Sequence, residues 1–189
     1  MNVANTDKDS DDTMIKPVTD VALDQCKLGR QSELLAFSSR EEACRLLTTM
    51  IDQASHQVVY FGRSLNSGLL GDSAVLNSIS ALMLRNRSAQ LKTLVNHSYD
   101  LVQSGHRLVE LLRHFMPAVE CRIRRIQSNS FEGTCVMVDK TGYLYLPDSE
   151  RIRGSASFNG IGTADKLYDV FDNEWQVAEP DPEIRPLVI

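Results

Sequence analysis

The sequence predicts an α/β fold: a mixed, largely parallel sheet flanked by helices. Two observations predict it. From Glu33 to Phe115, strand-like runs alternate with helix-like runs, and this β-α alternation builds parallel strands covered by helices. Later, the runs "TCVMVD" and "YLYL" are joined by the short turn "KTG", a hairpin that adds antiparallel strands and makes the sheet mixed. No internal repeat interrupts this order.

Each element has its own signal. Residues 1–30 mix Asp, Asn, Ser, Thr and Lys with little apolar periodicity, which predicts a mobile acidic tail ahead of one domain over 31–189. "ELLAF" (Glu33–Phe37) reads as a short strand. Ser39 and Glu42 form a capping-box pair. Ala43, Leu46, Leu47, Met50, Ile51 and Ala54 then recur at helical spacing. "QVVYFGR" (Gln57–Arg63) is β-branched and aromatic between polar flanks, the pattern of a buried strand. Asp72 or Ser73 is placed to cap a second helix with Val75, Leu76, Ile79, Leu82 and Met83 inward. "AQLKTLVN" is a strand. "LVQSGHRLVELLRHFM" is a third helix, with Leu108, Leu111, Leu112 and Phe115 inward and Pro117 ending it. "VECRIRRI" alternates Cys121 and Ile123 with Arg122 and Arg124, a strand pattern. "TADKLYDVFDNEW" closes with a helix carrying Leu167, Tyr168, Phe171 and Trp175 on one face, a core stripe. The proline-punctuated ending is expected to pack Leu187–Ile189 back on the body.

Composition narrows the function classes. The chain has 189 residues, 42% of them hydrophobic, enough for a sizeable core. No apolar run is long enough to span a membrane. The polar, acidic start has neither the basic nor the apolar region of a secretory signal, so a cytoplasmic location is expected. The net charge of −5 argues against a protein that coats DNA, though not against a local basic groove. Cys26, Cys44, Cys121 and Cys135 form no C-x-x-C pair and no zinc spacing. They are expected to be buried free thiols, and neither a metal nor a cofactor is expected.

The order of a helix before "VVYFGRSL", "LKTLVN" after a second helix, a helix leading into "VECRIR", and "CVMVDKTGYLYL" before a helix with Phe171 and Trp175 resembles one half of the phospholipase D-like superfamily. More narrowly, "GHRLVELLRHF", "VDKTGYLYL", "FDNEW" and "PDPEIRPLVI" resemble a single-half bacterial domain of this superfamily without an assigned activity, found in some proteins beside an acetyltransferase. Active members carry H-x-K-x4-D, then G-S and an asparagine. There the histidine attacks phosphorus, a partner histidine protonates the leaving oxygen, and lysine and asparagine hold phosphate oxygens. With Asp139 in the aspartate place, the histidine place holds Glu132, the lysine place holds Thr134, and the G-S place falls on Leu146 and Pro147. "GSASFN" (Gly154–Asn159) mimics the downstream piece but lies too far along. Glu132 also sets a carboxylate where a phosphodiester should bind, a repulsion on the order of several kcal/mol in a poorly solvated cleft. The resemblance therefore implies a degenerate motif, a non-catalytic binding or protein-interaction domain, and a retained homodimer interface.

Other candidates stand beside this reading. His97, Asp100 and His106 gather near the carboxyl end of the "LKTLVN" strand, where open α/β sheets bind ligands; they are the suspects for a hydrolase or nuclease using non-standard groups. Their plainer role is local, with Asp100 capping the helix. His114 lies on the same helix roughly 80° around the axis from His106. Arg122, Arg124 and Arg125, with Arg151 and Arg153, could form an anion-binding patch for nucleic acid. Their plainer role is a solvated face paired with Glu120, Asp148 and Glu150, and no aromatic residue is interleaved for base stacking. "FGRSLNSGLLG" fits no phosphate-loop pattern, though Ser64 and Asn66 could line a pocket. A regulatory role beside an acetyltransferase is the third reading. The expected partners are thus a second copy or an unidentified protein, nucleic acid only weakly, and no membrane.

Overall fold

In the computed structural model of the chain, the described residues are 15–65, 68–97, 107–125, 131, 133–148 and 151–181. They form a nine-stranded mixed sheet with four α-helices. The strands are β1 (Ile15–Pro17), β2 (Leu34–Phe37), β3 (Gln57–Phe61), β4 (Gln90–Val95), β5 (Val119–Ile123), β6 (Thr134–Val138), β7 (Gly142–Leu146), β8 (Gly154–Ser157) and β9 (Glu179–Pro180). The helices are α1 (Arg40–Gln53), α2 (Ser73–Arg85), α3 (Arg107–Phe115) and α4 (Ile161–Val177). The strands lie in the order β1-β2-β8-β7-β6-β3-β4-β5-β9. β3, β4 and β5 run parallel, as do β1 and β2; the other ladders are antiparallel.

Strand alternation divides the core between two faces. Val58 and Tyr60 of β3, Leu91 of β4 and Val136 and Val138 of β6 join α1, α2 and α3 in the larger cluster. Val59, Phe61, Leu94, Cys135 and Met137 point the other way and pack under α4 through Ala164, Phe171 and Trp175. The helix starts follow the local code. Ser39 and Glu42 form a reciprocal capping box on α1, and the Asp72 carboxylate accepts from the N–H groups of Ala74 and Val75 at the start of α2.

Two features go beyond the expectations. Residues 15–30, expected in the N-terminal tail, make contacts with the sheet and core. β1 pairs with β2, Val18, Leu23 and Cys26 are buried, and the Gln53 side chain bonds Leu28 N–H and Cys26 C=O. This order rests on long-range partners, which a scan for local periodicity does not register. The β6–β7 turn, residues 139–141, also sits one residue earlier than "KTG". Asp139 and Lys140 both adopt left-handed φ, 51° and 55°, and Gly142 opens β7. Aspartate tolerates this region better than most residues, and its carboxylate is anchored as described below. Residues 1–14 and 182–189, including the apolar ending, lie outside the described residues.

Candidate functional site

Of the expected motif positions, Thr134 opens β6 and Asp139 follows its end, and β6 has two dissimilar ends. Its lower end meets the start of β3. There Asp139 accepts three backbone N–H groups: Ser55 at 2.6 Å, His56 at 2.9 Å and Gln57 at 2.8 Å. Its own N–H donates to Gln57 C=O. Arg85 and Asn86, at the close of α2, bond the carbonyls of Ile51, Ala54 and Ser55 beside this clamp. Asp139 thus ties the hairpin turn to the chain leaving α1. Asp139, expected in the aspartate place of the motif, makes structural bonds here.

The upper end of β6 lies beside the carboxyl ends of β3 and β4. Thr134 is 0% exposed and faces the same side as Val136 and Val138. Its hydroxyl leans on Gly62, where an added Cβ would come within 2.8 Å of it. The Thr134 Oγ1 finds no partner among the described residues, nor do Thr93 Oγ1 and Asn96 Oδ1 on and after β4. Buried polar atoms are rarely left this way; Thr93 lies two residues below the level of Thr134, and Thr48 Oγ1 and Asn159 Oδ1 elsewhere also lack a partner among the described residues. His97 follows Asn96 and is exposed. Asp100, His106 and Glu132 lie outside the described residues. His114 is exposed on α3 beside Phe115.

On the α4 side the upper end is filled. Phe131 stacks on Phe61 with ring centroids 4.6 Å apart. Arg124 is only 4% exposed, and it bonds Glu174 through Nε at 2.6 Å and Nη2 at 2.9 Å. Its Nη1 donates to Phe131 C=O, and its guanidinium lies 4.6 Å from the Phe61 ring centre. This bidentate arrangement is the strong form of an ion pair. Arg124, expected in an anion-binding patch, makes these bonds inside the fold. Arg122 is similarly occupied, by Glu120, Trp175 C=O and the Trp175 ring. Arg151 pairs with Asp148, and Arg153 is exposed. These two precede β8, five strand spacings from β5, or about 24 Å, so the arginines do not form one patch. Neither periodicity nor spacing distinguishes an arginine bound under α4 from one in water.

"GSASFN" enters β8, two strands across from β6: Ser155 pairs with Tyr145, which pairs with Cys135 beside Thr134, and Ser157 lies level with Met137, about 10 Å further down than Thr134. The Asn159 N–H turns back to Ser157 Oγ. The four cysteines are free and buried. Burial pushes the thiols of Cys121 and Cys135 far up, the Asp181 carboxyl adding to it at Cys121 and Arg124 opposing it at Cys135, so they stay protonated and inert. Among the described residues no cluster of His, Cys, Asp or Glu could hold a metal, and no helix is long and apolar enough to cross a membrane.

Comparison with known proteins places this geometry. A family model described as Domain of unknown function (DUF7931) matches residues 39–187. No curated protein matches the chain. Among solved structures, NucT from Helicobacter pylori aligns with a TM-score of 0.58 at 10% identity, covering 79% of this chain and 99% of that one. Nuc from Salmonella typhimurium, described as a phospholipase D family member, aligns with a TM-score of 0.54 at 13% identity, covering 79% and 97%. The archaeal chromatin protein TrmBL2 aligns with a TM-score of 0.56 at 10% identity over 78% of this chain. The match spans 53% of TrmBL2, about half its length. At such identities the likeness establishes the fold, which is phospholipase D-like.

Proposed function

We propose that this chain, which belongs to the family described as Domain of unknown function (DUF7931), is a non-catalytic binding domain on a phospholipase D-like scaffold, with a degenerate motif. One observation carries the reading: Thr134, in the place where active relatives need a lysine, is sealed from solvent at 0% exposure. A side chain in that position cannot reach a phosphate oxygen. Asp139 remains because the β3–β6 clamp needs it. Asn96, half-buried after β4, keeps its Oδ1 without a partner among the described residues and supports binding beside the sealed threonines, since a ligand or partner would supply the missing hydrogen bond. The occupant is a second copy, as the family resemblance implies, or another protein.

The test is hydrolysis of bis(p-nitrophenyl) phosphate by the full-length chain. The expected rate equals the buffer blank. Turnover that disappears in Asp100→Ala or His106→Ala would overturn the proposal and favour a hydrolase built on non-standard groups. Light scattering on the purified chain adds the oligomeric arm: a dimer supports self-association, and a monomer directs the search to another protein.

Non-catalytic nucleic-acid binding is a second reading. TrmBL2 is described as showing a novel mode of DNA binding, and it shares the fold. The net charge of −5 and the internal pairing of Arg122 and Arg124 weigh against it. A salt-dependent DNA affinity lowered by Arg151→Ala and Arg153→Ala would favour it.

A further inference from the structure

A cavity of about 750 Å³ lies on the outer face of α1, within the size range of small-molecule sites. It shares no lining residue with the upper end of β3 and β6. Cys44, one of its lining residues, is only 6% exposed. Leu23 and Asp24 of the 3-10 turn Leu23–Gln25 form one wall, and Ala74 near the start of α2 forms the opposite one. Burial, then the Asp72 carboxylate, push the Cys44 thiol up, so it is apolar lining and not a nucleophile.

Charge is what makes the cavity selective. Arg40, Arg45, Asp24, Glu41 and Asp72 line it; Asp72 caps α2, and none of the other four makes an ion pair among the described residues. Both signs face one cavity without neutralising each other. Arg40 is exposed, and its guanidinium passes close to Gly68, where an added Cβ would come within 3.0 Å of Cζ and Nε. A guanidinium without a carboxylate partner suits a carboxylate ligand. Asp24 and Glu41 offer the complementary place for an ammonium. Leu23, Cys44 and Ala74 supply apolar surface between them.

We propose that this cavity binds a small zwitterion with an apolar body, of the amino-acid or short-peptide class, its carboxylate on Arg40 and its ammonium beside Asp24 and Glu41. The proposal stands apart from the reading of the β6 end and does not depend on it. The experiment is a titration of isotope-labelled full-length chain with L-leucyl-L-leucine, followed by amide NMR. Shifts are expected at Cys44, Thr48 and Ala74. The N-acetylated and C-amidated dipeptides should each bind about tenfold more weakly. Arg40→Gln, an exposed site tolerant of change, should weaken the dipeptide about tenfold and leave the C-amide unchanged. Ala74→Leu, which narrows the cavity, should weaken all three. Absence of shifts at these residues up to the solubility limit, or equal affinity for all three peptides in wild type, would overturn the proposal.

Discussion

The two ends of β6 are made of the same strand and differ in how their polar groups are satisfied. At the lower end, Asp139 meets three N–H donors, and Arg85 and Asn86 close the neighbouring carbonyls. At the upper end, Thr134, Thr93 and Asn96 each keep a buried polar atom without a partner among the described residues. The lower end is closed by bonds within the described residues, and the upper end is not. On the proposed reading, a motif whose parts span both ends loses its chemistry at one and keeps its architecture at the other.

The largest expected effect comes from Arg124, which fills the upper end on the α4 side. Arg124→Ala leaves Glu174 partly buried and unpaired and frees Phe131 C=O. A loss of about 3 kcal/mol is expected in urea unfolding, and joint replacement of Arg124 and Glu174 by apolar residues should cost less than the single change. A loss below about 1 kcal/mol would show that this pairing does not hold the upper end. At the lower end, Asp139→Ala should cost about 2–3 kcal/mol, because three donors lose a charged acceptor and alanine resists the left-handed φ. Asp139→Asn keeps one carbonyl acceptor and should cost clearly less. Equal losses in the two variants would mean that the charge carries the clamp.

Smaller effects sharpen the contrast at the upper end. Gly62→Ala should cost about 1–2 kcal/mol, since the new methyl presses on Thr134. Thr134→Ala in the same chain should recover part of that, and strict additivity in the double-mutant cycle would disprove the contact. Thr134→Val, which keeps the shape and removes the orphaned hydroxyl, should be neutral or stabilising by up to about 1 kcal/mol. The matching change at the lower end, Asp139→Leu, should only destabilise. The smallest effect is one of pH at the α1 capping box. The Ser38 N–H holds the Glu42 carboxyl below its ordinary range. A depressed folded-state pKa gives stability that is present above the unfolded value and lost as pH falls through the folded one. Glu42→Gln should therefore flatten the acid limb of the stability profile and leave neutral pH little changed. An unaltered acid limb would remove the cap from the account.

What could be read from the sequence was what local chemistry decides. Ser39 with Glu42, Asp72 before α2, and the stripe from Leu167 to Trp175 rest on neighbours three or four residues away, so they were legible. The N-terminal segment Ile15–Gln25 was not, because its order comes from β2, Gln53 and the core. The early turn at Asp139 depends on N–H groups more than 80 residues distant. Arg122 and Arg124 alternate as a solvated strand face would, and only the placement of α4 buries them. The proposed replacement of nucleophile and lysine rests on residue types alone; that Thr134 is enclosed behind Gly62 was not legible, since a threonine is as common outside a fold as in it.

Thiol labelling at the lysine place tests the central claim most directly. The four native cysteines are buried, so a thiol introduced by Thr134→Cys can be followed against a slow background with a chromogenic disulfide reagent. The account predicts that under native conditions the new thiol reacts no faster than the native four, and at the free-thiol rate only after denaturation. Reaction at the free-thiol rate in the folded chain would open the upper end of β6 to solvent and contradict the reading of a sealed, non-catalytic site.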